Sequence, residues 1–285
     1  MCVYLNGEFM PLVEARIPVL DRGFIFGDGV YEVIPVYSRH PFRLQEHLHR
    51  LQHSLDAIRL PNPHAAEDWA ALIRQVVDAQ TFPDQSVYLQ VTRGVAPRDH
   101  AFPAGVAPTV FIMSNPLTPP PAALVENGVC VVTAQDNRWL RCDIKAVSLL
   151  ANVLLRQQAV DAAAAETLLF RDGCLTEGAA SNIFVVSDGV LLAPPKNHLM
   201  LPGITYDVVL ELAEQMQWPC QIRSVAESEV RQADEVWLTS STKEVLSVIR
   251  IDAQPVGTGV PGPRFRRMAA AYQEYKAEIM RRPGS

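Results

Sequence analysis

A chain of 285 residues is long enough for one large domain or two of ordinary size, and its 48% hydrophobic and 20% charged composition excludes a disordered or fibrous chain. The formal net charge of −6 leaves no basic footprint for nucleic acid, and no apolar run approaches the ~20 residues needed to span a bilayer. No basic segment leads a long apolar one at Met1–Glu8, and the five widely spaced cysteines include no Cys-x-x-Cys pair, so a reduced, cytoplasmic protein is expected.

Two short strand patterns, Cys2–Leu5 and Phe9–Val13, flank the turn pair Asn6-Gly7. The run Asp21-Arg22-Gly23-Phe24-Ile25-Phe26-Gly27-Asp28-Gly29-Val30-Tyr31-Glu32 follows. Its glycine spacing does not match a phosphate-binding Gly-x-Gly-x-x-Gly loop, and it leads into a strand over Val30–Tyr37. The glycines are read as permitting tight turns that aim Tyr31 into a cleft. From Leu44 the period becomes helical, with Leu44, Leu48, Leu51, Leu55 and Ile58 on one face and His49, Arg50 and His53 off it. The histidines are four apart but lack a third metal ligand, so a solvated face is expected for them, and for Arg50 taken alone.

A second helical pattern, Ala65–Ala79, precedes a strand over Ser86–Arg93. The loop Gly94–Pro103 then carries Arg98 and His100 between prolines that stiffen it. Guanidinium and imidazole both donate to a carboxylate, so the pair is either a carboxylate trap or a set of solvated loop charges. After a strand over Val110–Ser114, the proline-rich stretch 115–123 reads as a linker between a small domain, 1–114, and a larger one, 124–285.

Beyond the linker, a strand over Val129–Thr133 leads to Arg138-Trp139-Leu140-Arg141-Cys142-Asp143-Ile144-Lys145, and a long helical pattern, Val147–Ala165, follows. A lysine at the electropositive start of a mostly apolar helix either reaches back to solvent or has a covalent or ionic reason to be there. Cys142 reads as a buried thiol, since no base lies near it in sequence. Strands over Thr167–Arg171, Ile183–Ser187 and Val190–Ala193 follow, with Thr176-Glu177-Gly178 among them. Leu201-Pro202-Gly203-Ile204-Thr205 opens a helix whose free amides suit an anion, phosphate above all, although any Gly-x-Thr helix start looks the same. Strands over Glu235–Thr239 and Val245–Ile251 bracket Ser240-Ser241-Thr242-Lys243, hydroxyls that either donate to a phosphate or close a turn. A last helix carries Phe265, Met268, Tyr272, Tyr275 and Ile279 on one face.

A lysine, a carboxylate, an arginine, an anion-binding helix start, a hydroxyl cluster and a basic pair together make the parts that pyridoxal phosphate chemistry requires. The order and wording of the motifs resemble the fold-type IV pyridoxal phosphate enzymes over nearly the whole chain, and among them the D-amino acid aminotransferases. The resemblance is carried by the Asp21–Glu32 run, Val91-Thr92-Arg93-Gly94 with Pro97-Arg98-Asp99-His100, Arg138–Lys145, Thr176-Glu177-Gly178 and Leu201–Thr205.

The resemblance implies an α/β chain, α+β in arrangement: a small α/β domain followed by a larger one on a mostly antiparallel, barrel-like sheet. It implies that Lys145 forms the Schiff base with pyridoxal 5'-phosphate and carries the substrate proton, and that Glu177 pairs with the ring nitrogen. Arg50, Ile204, Thr205 and Ser241 hold the phosphate, and Leu201 belongs to the same cofactor site. Tyr31, Arg98 and His100 capture the substrate carboxylate, the last two from the partner subunit of a homodimer. No metal is implied. The expected reaction converts D-alanine and 2-oxoglutarate to pyruvate and D-glutamate. On the same scaffold stand branched-chain L-amino acid aminotransferases and aminodeoxychorismate-type lyases; a non-catalytic pyridoxal phosphate or ligand-binding protein is the alternative of a different class. Two departures from the family pattern stand out: Ala179-Ala180 where serines are common, and Tyr206 where arginine is frequent.

Overall fold

The computed structural model describes residues 1–281, in which the chain forms two compact units. The first comprises Met1–Thr118 with Ile144–Leu149, and the second Pro119–Asp143 with Leu150–Glu278. The segment that carries Lys145 therefore belongs with the first unit, a return that sequence order gives no sign of.

In chain order the first unit contains β1 (Cys2–Leu5), β2 (Glu8–Pro11), α1 (Arg22–Phe26), β3 (Gly29–Tyr37), β4 (His40–Pro41), α2 (Leu44–Ala57), α3 (Ala66–Asp78), β5 (Gln85–Thr92) and β6 (Thr109–Pro116). The strands form one antiparallel sheet in the order β2-β1-β6-β5-β3-β4. Alternation puts Val30, Ile34 and Val36 of β3 on one face with Val87, Leu89 and Val91 of β5. That face is covered by Leu48, Leu51 and Leu55 of α2 and Trp69, Ile73 and Val76 of α3. Each such fully buried aliphatic side chain contributes about 1.5–3 kcal/mol by leaving water. The helix α1 is absent from the sequence reading; Asp21 caps it by accepting from the Gly23 amide at 2.8 Å, and Gly27, at φ 66°, ends it in the left-handed region that glycine adopts without strain.

The second unit contains α4 (Ala122–Asn127), β7 (Val129–Gln135), α5 (Leu150–Asp161), β8 (Glu166–Arg171), β9 (Cys174–Gly178), β10 (Asn182–Ser187), β11 (Val190–Ala193), α6 (Ile204–Gln215), β12 (Cys220–Ile222), α7 (Glu227–Arg231), β13 (Glu235–Ser240), β14 (Glu244–Ile251), β15 (Gln254–Pro255) and α8 (Pro263–Arg281). Its sheet runs β12-β11-β10-β13-β14-β7-β8-β9, with β15 on β14. Parallel pairs join β11 to β12, β14 to β7 and β7 to β8, and the other pairs are antiparallel.

The chain path forces this sheet to curl. In a flat sheet β9 would lie five strand spacings from β10, about 24 Å. Only Ala179, Ala180 and Ser181 join them, a reach of about 15 Å at most, so the far edge bends back toward β10. That curvature is the barrel-like character expected from the resemblance. Phe265, Met268 and Tyr272 of α8 are buried, and Glu235 accepts from the Arg264 and Phe265 amides at 3.0 and 2.8 Å, placing a carboxylate at the electropositive helix start.

Two expectations change here. The linker stretch is shorter than 115–123, because β6 continues to Pro116 and α4 begins at Ala122. The helix after Lys145 spans Leu150–Asp161, not Val147–Ala165, because Val147 is drawn into pairing with β3 and its amide donates to Gly29 O at 3.0 Å. Tertiary pairing outweighs local helix preference. Among the described residues no helix is long and apolar enough to cross a membrane.

Candidate active site

Lys145 lies on an extended segment, not at a helix start. Its carbonyl accepts from the Tyr31 amide at 3.0 Å, and Ala146 bridges Val30, so the segment runs antiparallel beside β3. Ile144 and Ala146 enter the core of the first unit, which turns the Lys145 side chain to the other face. There Nζ stands 4.2 Å from the centre of the Tyr31 ring, a cation–π approach. Tyr88 lies beside Tyr31, with ring centres 5.6 Å apart, and donates to Gln90 Oε1 at 2.6 Å; burial, and secondarily Tyr31, pushes its hydroxyl up to about 12. Tyr88 and Gln90 escaped the sequence reading, although their period-2 spacing with Val87, Leu89 and Val91 places them on the Tyr31 face.

Arg50 is buried, contrary to the reading of its helix position. Its Nε and Nη2 each donate to Glu32 at 2.8 Å, and His47 Nδ1 meets the same carboxylate at 2.8 Å. Burial raises the proton affinity of Glu32, but Arg50 and then His47 outweigh it and hold the carboxyl well below its usual range. His47 is lowered by its own burial, against the pull of Glu32. The overlooked signal was Glu32 itself: a carboxylate among the core-facing positions Val30, Ile34 and Val36 requires a buried cation. Ser54, one turn beyond Arg50, accepts from the Lys145 amide at 3.2 Å, so this side of α2 reaches both the ion pair and the lysine segment. His49 and His53 are exposed, as expected.

Arg98 and His100 are brought together on one aromatic ring. The guanidinium carbon of Arg98 lies 5.2 Å from the centre of Phe26, and the His100 ring centre lies 5.4 Å from it. Both side chains are exposed, while the base of their loop is fixed: Arg22 Nη1 donates to Asp99 O at 2.5 Å, and Asp28 Oδ2 accepts from Arg22 and Arg93 at 2.8 Å each. The Arg93 guanidinium lies 3.8 Å from the centre of the Phe102 ring.

In the second unit Glu177, at the end of β9, is buried and accepts from Arg138 Nη1, from the Leu201 amide at 3.1 Å and from Asn182 Nδ2 at 3.3 Å. An ionised carboxylate offers about four acceptor positions, so one is left for a further donor. Burial is the largest influence on this carboxyl and pushes it up to about 7, with Arg138 pulling the other way. Asn182 also donates to Leu201 O at 2.9 Å, and a Cβ at Gly203 would stand 2.0 Å from its Oδ1. A side chain there would displace the asparagine, whose two hydrogen bonds tie Glu177 to the start of α6. Sequence reading did not single it out.

The helix start itself has unused donors. Gly203 is the N-cap and offers no side chain, and the Ile204 and Thr205 amides and the hydroxyl of Thr205 meet no acceptor among the described residues. Thr239 pairs with Asn182 across β13 and β10, which brings the Ser240–Lys243 turn to the same end of the sheet. Ser240 closes that turn by accepting from the Lys243 amide at 3.1 Å, while Ser241 makes no hydrogen bond there. A carboxylate with one open position, two free amides and two free hydroxyls form a donor and acceptor set that fits a protonated ring nitrogen and a phosphate.

The departures from the family pattern have local reasons. Tyr206 is a core residue whose hydroxyl donates to Pro194 O at 2.8 Å, with burial pushing it up to about 12. Ala179 is buried, and its carbonyl accepts from Asn152 at 2.9 Å. Cys142 is buried with its thiol pushed up to about 11 by burial, so it is protonated at neutral pH.

The chain belongs to the class IV aminotransferases: residues 29–251 match the family model described as "Amino-transferase class IV". It is 41% identical to a D-alanine aminotransferase of Bacillus licheniformis over 273 residues, 96% of each chain. It is 38% identical to that of Staphylococcus aureus (strain MW2), over 96% of this chain and 97% of the relative. In structure it is similar to a branched-chain amino acid aminotransferase of Escherichia coli, with TM-score 0.90 and 27% identity over 96% of this chain and 93% of that one. A T.th. branched-chain amino acid aminotransferase, solved with pyridoxamine 5'-phosphate, gives TM-score 0.90 and 28% identity over 99% of this chain and 95% of that one.

Proposed function

We propose that this aminotransferase uses pyridoxal 5'-phosphate to move the amino group of a D-amino acid such as D-alanine to a 2-oxo acid such as 2-oxoglutarate, giving pyruvate and D-glutamate. The observation that carries this reading is the pairing of Arg98 and His100 on Phe26, in a chain 41% identical to a D-alanine aminotransferase over nearly its whole length.

Pyridoxal phosphate, when bound, supplies an electron sink for the carbon that loses its proton. Lys145 would anchor the cofactor covalently, and once released its Nζ would carry the proton from the amino acid's Cα to C4′ of the cofactor, and the opposite way when the 2-oxo acid is aminated. Glu177 accepts from the protonated ring nitrogen through its remaining acceptor position, and Leu201 supports it with its amide. The Ile204 and Thr205 amides, the Thr205 and Ser241 hydroxyls and Arg50 hold the phosphate. Tyr31, Arg98 and His100 bind the substrate α-carboxylate, with Arg98 and His100 supplied by the other subunit of a homodimer.

Dimerisation is supported by apolar surface that a lone chain leaves in water. Trp139 and Leu140 are more than half exposed, as are Leu150, Val153 and Leu154 on one face of α5. The five unpaired cysteines agree with a reducing, cytoplasmic setting. A second reading, an L-branched-chain aminotransferase, is favoured by the likeness to the solved branched-chain enzymes.

Borohydride reduction of the cofactor-loaded protein, followed by peptide mass spectrometry, tests the assignment of the lysine. The cofactor is expected on Lys145, with Lys145→Ala losing turnover. Attachment elsewhere, or an active Lys145→Ala protein, would refute the mechanism.

A further inference from the structure

Behind Glu177 lies a row of buried charges of alternating sign. Asp136 Oδ1 and Oδ2 accept from Arg138 Nε and Nη2 at 2.9 and 2.8 Å, a side-on bidentate pair, and Asp136 Oδ1 also accepts from the Arg138 amide at 3.1 Å. The far side of Asp136 is held by the Thr176 hydroxyl at 2.9 Å and by Arg171 Nη2 at 3.1 Å. Arg171 also donates to Arg138 O at 2.8 Å, and Arg138 Nη2 reaches Leu199 O at 3.3 Å. The guanidinium is thus immobilised on three sides, and its Nη1 is delivered to Glu177 Oε1.

We propose that Asp136 and Arg138 are positioning residues for Glu177: the clamped guanidinium favours its ionised form against burial and leaves one acceptor position for a ligand N–H. The inference rests on the reading that Glu177 meets the cofactor's ring nitrogen. The physical requirement is a balance. A buried carboxylate without a cation takes up a proton and becomes a donor, which cannot hold a protonated ring nitrogen. A free arginine would take both carboxylate oxygens, as Arg50 does with Glu32; Asp136 prevents this by occupying Nε and Nη2. The charged groups that bear on Glu177 are Arg138 and Asp136, Cys142 is coupled to it, Arg171 stands behind Asp136, and its neutral donors are Asn182 and the Leu201 amide.

Opposite signs for the two partners separate this role from a merely structural one. Arg138→Met removes the cation and is expected to move the acid limb of pyridoxal phosphate affinity up by about one pH unit, hence about tenfold weaker binding on that limb. Asp136→Asn removes the competing anion and is expected to move the same limb down. Arg138→Lys, which keeps the charge, restores the limb toward wild type. Pyridoxal phosphate binding to the full-length, cofactor-stripped chain, read by tryptophan fluorescence across pH, measures all three. Should Arg138→Met fail to fold, Asp136→Asn and Arg138→Lys decide between the outcomes. Folded variants whose limbs coincide with wild type, while Glu177→Gln weakens binding, would overturn the inference and leave the Glu177 reading standing. A Glu177→Gln protein that binds like wild type would overturn both.

Discussion

Arg50 donates to both carboxylate oxygens of Glu32, Nε to Oε1 and Nη2 to Oε2, each at 2.8 Å, with the strand residue fully buried and the helix residue nearly so. The pair joins β3, which carries Tyr31, to α2, which reaches the Lys145 segment through Ser54. Breaking it from one side leaves an uncompensated buried charge, which costs more than the intact pair contributes. Glu32→Gln is therefore expected to lower unfolding free energy by about 3 kcal/mol in urea titration. A loss within about 0.5 kcal/mol would show that the pair has no such role.

The pH dependence of stability has contributions of both signs. The Glu32 carboxyl is held below its reference value of 4.5, so its contribution is complete above pH 4.5 and is lost as pH falls through its folded value. His47 is held below 6.5, so from pH 6.5 downward the unfolded chain takes up a proton that the folded chain does not, and stability again falls with pH. Glu177, raised from 4.5 to about 7, acts in the opposite sense, favouring the folded state as pH falls from about 7 to 4.5. Thermal midpoints of the cofactor-stripped protein are expected to drop more steeply below pH 7 in Glu177→Gln than in wild type. An unchanged slope would contradict the raised carboxyl.

Gly203→Ala tests the tie between Glu177 and the helix start. Its Cβ would lie 2.0 Å from Asn182 Oδ1, so the asparagine must move and give up its contacts with Glu177 and Leu201 O. A stability loss of about 1–3 kcal/mol is expected, together with weaker pyridoxal phosphate binding. Wild-type affinity in this variant would show that Asn182 does not matter to the cofactor.

Thr205→Val separates binding from folding. The hydroxyl has no acceptor among the described residues, so stability is expected within about 0.5 kcal/mol of wild type, by differential scanning fluorimetry. Affinity for pyridoxal phosphate is expected to fall by about tenfold, the loss of one hydrogen bond to a charged group. A large stability loss without a change in affinity would place the hydroxyl in the fold and not in the phosphate site.

Much of the architecture is legible in the sequence because the alternation of β5, the apolar runs of β3 and β13 and the stripe of α2 are strong, local signals. What sequence could not give was set by distant partners. Lys145 looked like a helix-start residue because Val147–Leu149 suits a helix, and only pairing with Gly29 and Val30 draws it into an extended segment. Arg50 looked solvated because its partner Glu32 lies in another element. Motif wording singled out Glu177, Leu201, Ile204 and Thr205, yet Asn182, which binds Glu177 and Leu201 directly, carried no signal of its own. Asp136 was equally silent, and Arg138 entered only as the first residue of the lysine motif, since charge compensation in a buried row is visible only when the strands are assembled.

The account stands most directly on which amino acid converts the loaded enzyme. D-alanine and L-leucine are added separately to the pyridoxal phosphate form, with no 2-oxo acid present, and the visible absorbance of the bound cofactor is followed. Loss of that absorbance with D-alanine, release of pyruvate in equal amount and little change with L-leucine are the predicted results. Conversion by L-leucine and not by D-alanine would contradict the assignment of Arg98 and His100 and identify a branched-chain enzyme instead.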